Sequence, residues 1–107
     1  MILKQVNEKI DATLVCGNEK CEIKGVYICD LLSRAMSKLC EADLWITIQN
    51  NVNTVAVASL VEAGAVVFPE GIEPEEEVVR VAKEKEITII KTPKTAYEIC
   101  KELGKYI

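Results

Sequence analysis

A chain of 107 residues, half of them hydrophobic, has room for one domain with a real core. Its formal charge of −4 and pI near 4.9 argue against non-specific binding to nucleic acid or an anionic membrane, since both need a basic field. No apolar run approaches the roughly 20 residues of a membrane span, and the amphipathic opening MILKQVNEKI, with Glu8 inside it, does not read as a secretion signal.

Ile2, Leu3, Val6 and Ile10 recur at helical spacing, so residues 2–10 read as a short helix. Thr13 to Cys16 reads as a strand closed by the turn signal Gly17-Asn18. Cys21 to Ile28 reads as a second strand, bent or bulged at Lys24-Gly25. Asp30 is placed to cap the next helix, its carboxylate accepting from a free first-turn amide. Leu31, Leu32, Ala35, Met36 and Leu39 make one apolar stripe on that helix. Trp45 to Ile48 is a strand, and Val52 to Ala63 is a helix with Gly64 as its stop. Ala65 to Phe68 is the next strand. Pro74 to Lys85 reads as a helix, with proline at its first position and Glu75, Glu76 and Glu77 where the helix dipole favours negative charge. Ile87 to Ile90 is the last strand. Thr92 then caps a final helix opened by Pro93 and ending near Gly104.

Strands alternating with helices imply right-handed βαβ crossovers. The expected fold is α/β: one domain over residues 1–107, three layers (α/β/α), and a mostly parallel sheet of about five strands. The strands are nearly all apolar, which fits a sheet covered by helices on both faces.

In such sheets ligands bind outside the carboxyl ends of the strands. Those ends carry Gln49-Asn50-Asn51 with Asn53 just after, Pro69-Glu70-Gly71, and Lys91-Thr92-Pro93-Lys94-Thr95. Free amides at helix N-termini attract anions, and Lys91, Lys94 and Thr95 add charge and a hydroxyl. A small anion, for example a nucleotide or phosphorylated metabolite, fits this rim. Asn50, Asn51 and Thr92 are equally good helix caps without a ligand, and both readings stay open.

No histidine is present, so the usual neutral-pH base and common metal ligand are missing. Neither a GxxxxGK[ST] phosphate loop, a GxGxxG turn nor a GxSxG elbow occurs. No catalytic residue, metal or cofactor is expected. The five cysteines are an odd number with no secretion signal, which points to free thiols in a reducing cytoplasm. Cys40 and Cys100 read as core. Cys16 and Cys21 are spaced C-x4-C, but Cys29 lies too far on for a plant-type ferredoxin pattern. A redox-sensitive pair at Cys16 and Cys21 is the alternative.

The stretch GVYICDLLSRAMSKLCEADLWITIQNNVNTVAVASLVEAGAVVFPEGIEP resembles the DRTGG domain family. Tyr27, Asp30, Leu31, Leu32 and Ser33 match its Tyr-x-x-Asp-Leu-Leu-Ser pattern, and the likeness spans roughly residues 1–105. The chain departs from the motif that names the family. Gly25-Val26 stands where the family shows paired glycines, Cys21-Glu22 lies near its Asp-Arg, and the arginine is missing. Val26 cannot take a positive φ cheaply, so either the backbone differs there or the second glycine is not needed for that geometry. The resemblance implies a fold similar to the N-terminal domain of HPr kinase/phosphorylase, without the kinase domain. It also implies a regulatory or ligand-sensing module, often dimeric, of the kind found beside CBS pairs and in some phosphotransacetylases. Family genes can neighbour iron-hydrogenase components.

The leading expectation is therefore a non-catalytic cytoplasmic regulatory domain, a homodimer, that binds a small anion or a protein partner. Its candidate ligand-binding residues are Tyr27, Asp30, Gln49, Asn50, Asn51, Asn53, Glu70, Gly71, Thr92, Lys94 and Thr95. The rival readings are an assembly protein of a larger redox complex and an enzyme using Cys16, Cys21 or Asp30.

Overall fold

The structure, a computed structural model, describes residues 1–107. Helices and strands follow in the order α1 (Leu3–Lys9), β1 (Thr13–Cys16), β2 (Gly25–Ile28), α2 (Leu32–Lys38), β3 (Asp43–Ile46), α3 (Val52–Val61), β4 (Ala65–Phe68), α4 (Glu76–Glu84), β5 (Ile89–Lys91) and α5 (Ala96–Leu103). One five-stranded sheet has the order β1-β5-β4-β3-β2. Strands β2 to β5 run parallel, and β1 lies antiparallel to β5 at one edge. The expected α/β architecture with a mostly parallel sheet of five strands is present.

All four residues of β4 are buried, because helices cover both faces of the sheet. On one face Trp45, Val66, Phe68 and Ile89 pack with Ala35, Leu39, Val55, Ala58, Val78 and Ala82 from the α2–α4 side. On the other, Leu44, Ile46, Val67 and Ile90 pack with Leu3 and Val6 of α1 and Ile99 and Leu103 of α5. Trp45 is fully buried, and its indole N–H donates to the Cys29 carbonyl at 2.9 Å.

Several local expectations are corrected by contacts distant in sequence. β2 starts at Gly25 rather than Cys21, because residues 21–23 pair with the N-terminal segment. Leu3 donates its N–H to the Cys21 carbonyl, and Ile23 donates to Met1. Gly25 has no positive φ. A Cβ there would lie 2.7 Å from Asp43 Oδ1, so a larger residue would require the Asp43 carboxylate to turn away. Val26 pairs with Leu44 in ordinary strand register, so no second glycine is required. β3 opens at Asp43, two residues before Trp45, and β5 is shifted to Ile89–Lys91. Helix α3 ends at Val61 on Glu62 in the left-handed region (φ 57°), not on Gly64. Gly64 instead makes a close approach, since its Cβ would lie 2.7 Å from Ile23 Cδ1. Pro74 is buried in the loop before α4, whose first residue is Glu76.

Asp30 does not cap α2; Leu31 holds the cap position, with no side-chain hydrogen bond there. Thr92 does not cap α5 either; Thr95 does. In the stripe on α2, Ala35 and Leu39 are buried while Leu31 and Met36 are exposed. Cys40 lies beyond the end of α2 and is exposed, and Cys100 is half-buried, so neither is a fully buried core residue.

Candidate functional site

β3, β4 and β5 are adjacent and parallel, so their carboxyl ends meet at one rim. Three connecting segments cross it: residues 47–51, 69–75 and 92–95.

The first segment explains four amide side chains at one turn. Asn51 caps α3, its Oδ1 accepting from the amides of Asn53 (2.9 Å) and Thr54 (3.3 Å). Gln49 Oε1 accepts from Asn51 Nδ2 at 3.3 Å and so orients the cap. Thr54 closes the turn by donating its hydroxyl to the Gln49 carbonyl at 2.6 Å. Asn50 reaches into the second segment instead. Its Nδ2 donates to the Glu73 carbonyl (2.9 Å), and its Oδ1 accepts from the Glu75 amide (3.1 Å). The Asn53 side chain is exposed, and only its backbone amide takes part in the turn.

The second segment begins as a tight turn. Ile72 donates its amide to the Pro69 carbonyl at 3.1 Å, and both central residues, Glu70 (φ 60°) and Gly71 (φ 74°), are left-handed. Two positive φ values define the type I′ class. The turn is tied to the third segment by two main-chain bonds, Glu70 N–H to the Lys94 carbonyl (2.9 Å) and Gly71 N–H to the Thr92 carbonyl (3.0 Å).

Thr92 is the buried hub of the third segment. Its hydroxyl donates to the Ile10 carbonyl at 2.6 Å and accepts from the Lys94 amide at 3.1 Å. Thr95 caps α5 and forms a reciprocal box with Glu98. The Thr95 backbone amide, then its hydroxyl, hold the Glu98 carboxyl below its usual range. Lys91 Nζ takes both carboxylate oxygens of Glu73, at 2.9 and 2.6 Å. Lys94 pairs with Asp11 at 3.6 Å. Both carboxylates are well exposed, so each pair is worth only about 0–1 kcal/mol to stability.

Between the second and third segments, beside Thr13 of β1, lies a cleft of about 220 Å³, lined by Thr13, Gly71, Glu73, Lys91, Thr92 and Pro93. Asn50, Gly71 and Thr92 thus belong to one connected rim, through Glu73. The helix amides expected to attract an anion are instead satisfied within the chain, by Asn51 at α3 and by Thr95 at α5. Tyr27 and Asp30 lie further out, at the end of β2. Asp30 ties that end to β3, accepting from the Thr47 hydroxyl (3.0 Å) and the Ile48 amide (2.9 Å). Partial burial raises the Tyr27 hydroxyl pKa, aided by the nearby Cys29 thiol and opposed by Arg34.

Sequence reasoning missed Glu73, Asp11 and Thr13. Thr13 reaches the cleft only because it pairs with Lys91 in the antiparallel register of β1 and β5, a pairing that no local pattern announces. Cys16 and Cys21 are not brought together: Cys16 packs in the α2–α4 face of the core and Cys21 against the α1/α5 face. Desolvation pushes both thiols up, against the depressed pKa a reactive thiol needs. No group of three His, Cys, Asp or Glu side chains is arranged to hold a metal.

A comparison with curated proteins finds no match for the sequence. Among solved structures, the fold is similar to the CBS and DRTGG domains of the regulatory region of Clostridium perfringens pyrophosphatase, crystallised with its activator diadenosine tetraphosphate. The TM-score is 0.78 at 17% identity, over 95% of this chain. The present chain spans 45% of that neighbour. The model of the DRTGG domain matches residues 5–106, nearly the whole sequence, and the chain belongs to the DRTGG domain family.

Proposed function

We propose that this domain is a non-catalytic regulatory module that senses a small phosphate-bearing anion, with adenine nucleotides the first class to test, at the rim formed by the strand ends. The observation that carries this reading is the polar cleft containing Lys91 at the carboxyl ends of the adjacent parallel strands β4 and β5, to which the β3 end is tied through the Asn50–Glu73 bond. Gly71 and Thr92 line the cleft, Asn50, Glu70 and Lys94 tie the segments around it, Thr95 follows as the α5 cap, and Gln49, Asn51 and Asn53 set the α3 side. Tyr27 and Asp30 form the outer flank at β2. The nucleotide held by the structurally similar regulatory region supports the ligand class.

The domain acts as a homodimer in this reading. Ile28, Leu31 and Ile48, close to Asp30 in sequence or through its hydrogen bond to Ile48, are among the exposed apolar side chains available to a second copy or a protein partner. No helix is long and apolar enough to cross a membrane, and the five free thiols suit a cytoplasmic location.

Titration with ATP, ADP, AMP and diadenosine polyphosphates, followed by calorimetry and amide NMR, tests the site. Shifts concentrated at residues 49–53, 70–73 and 91–95 are expected. No heat and no shift with any of them, at low salt, would remove the anion reading.

A further inference from the structure

Lys91 is the one cation lining the rim cleft, and the chain's own carboxylate already sits on it. The manner of holding is informative. Glu73 is fixed through its backbone: the Asn50 side chain grips the Glu73 carbonyl and the Glu75 amide, and Gly71 is tied to Thr92. Its side chain has no anchor other than Lys91 and is 71% exposed, whereas the Lys91 side chain is 34% exposed. The carboxylate can therefore swing into water without breaking a backbone hydrogen bond, while the lysine stays at the wall of the cleft. Beside it, Thr13 lines the same cleft, paired with Lys91 in the β1–β5 register, and its hydroxyl has no hydrogen-bond partner within the chain. Lys94, on the far side of Thr92, is masked in the same way by the exposed Asp11.

We infer that Glu73 is an internal competitor. Its carboxylate occupies the place that a phosphate group of the ligand takes on Lys91 and Thr13, and binding proceeds by displacing it. This rests on the anion reading above and deepens it. A phosphate carries up to about two charges and three acceptor oxygens, against one charge and two oxygens for Glu73. It can take the lysine and still accept from the hydroxyl that Glu73 leaves free. The device selects phosphate-bearing ligands over simple carboxylates, because a carboxylate ligand gains nothing in the exchange.

Inorganic pyrophosphate is the probe, titrated by calorimetry at low ionic strength with amide NMR as a check on the fold. The proteins are the wild type, Glu73→Gln, Lys91→Gln, the double variant, and Glu76→Gln as a charge-matched control on the neighbouring helix turn. Removing one exposed pairing predicts that Glu73→Gln binds about two- to fivefold tighter. Lys91→Gln should weaken binding to the same level with or without Glu73, and Glu76→Gln should leave it unchanged. If Glu73→Gln matches the wild type, or Glu76→Gln tightens binding equally, the competitor is refuted while the anion site stands. If no variant binds pyrophosphate, Glu73→Gln included, the competitor and the anion reading both fall.

Discussion

Glu70 and Gly71 adopt the same left-handed conformation side by side, at different cost. An L-residue with a Cβ pays about 1–2 kcal/mol there, and glycine avoids this. Gly71 has open space around it, with no atom within 4 Å of where a Cβ would stand. Gly71→Ala therefore isolates the backbone effect, and a loss of about 1 kcal/mol is expected with no steric contribution. The reverse change, Glu70→Gly, should raise stability by about 0.5 kcal/mol, since glycine's extra freedom in the unfolded chain offsets part of the gain. Urea midpoints at unchanged slope read both, and equal effects of the same sign would contradict the turn geometry. Gly71 was legible in the sequence as a turn residue. Glu70 was legible as a rim residue but not as a left-handed one, and Glu73 was not foreseen at all. Nothing in Pro-Glu-Gly-Ile-Glu-Pro says which glutamate turns left-handed and which meets a lysine that lies 18 positions on.

At the scale of elements, caps decided what could be foreseen. The true cap of α5 carries the Thr-x-x-Glu pattern in plain view, Thr95 to Glu98. Thr92, followed by Pro93, looked like the better start, but its hydroxyl is committed to Ile10, 82 residues earlier. Helix ends misled for a different reason. Asp11, Ala42, Glu62 and Glu86, in the turns after α1, α2, α3 and α4, all have positive φ. Glycine is the usual mark of such a stop, so Gly64 drew the boundary of α3 too late. The α5 box has a pH signature. The Glu98 carboxyl is held below its ordinary range, chiefly by the Thr95 amide. Its contribution is complete above the unfolded carboxylate range and is lost as pH falls through the depressed folded value. In Glu98→Gln, the fall in stability between about pH 5 and pH 3 should be shallower than in the wild type. Superimposable acid profiles would exclude the box as a contributor.

For the whole molecule, the alternation of apolar strands and helices was enough to give the layers and the parallel sheet. The edge position of β1 was not legible, because its partner β5 lies more than 70 residues away and antiparallel pairing leaves no mark in Thr-Leu-Val-Cys. The two-faced core makes a prediction for the thiols. Cys40 is exposed, whereas Cys16 is buried, donates to the Ile87 carbonyl at 3.4 Å, and is pushed up by desolvation. In timed alkylation read by mass spectrometry, Cys40 should react first and Cys16 last, at a rate that follows unfolding. Equal rates at the two positions would mean the α2–α4 face of the core is open.

The position of β5 has a consequence for biosynthesis. The final strand of the chain lies inside the sheet, with β4 on one side and β1 on the other. While β5 is still to be made, β4 keeps a bare edge and β1 lacks its one strand partner, so the α1–β1 segment is held only by α1 on the sheet and by the pairing of residues 1–3 with 21–23. Closing so long a loop comes late and slowly. The nascent chain is thus exposed to mispairing with its neighbours until the moment those three residues, Ile89-Ile90-Lys91, emerge and lock both halves together.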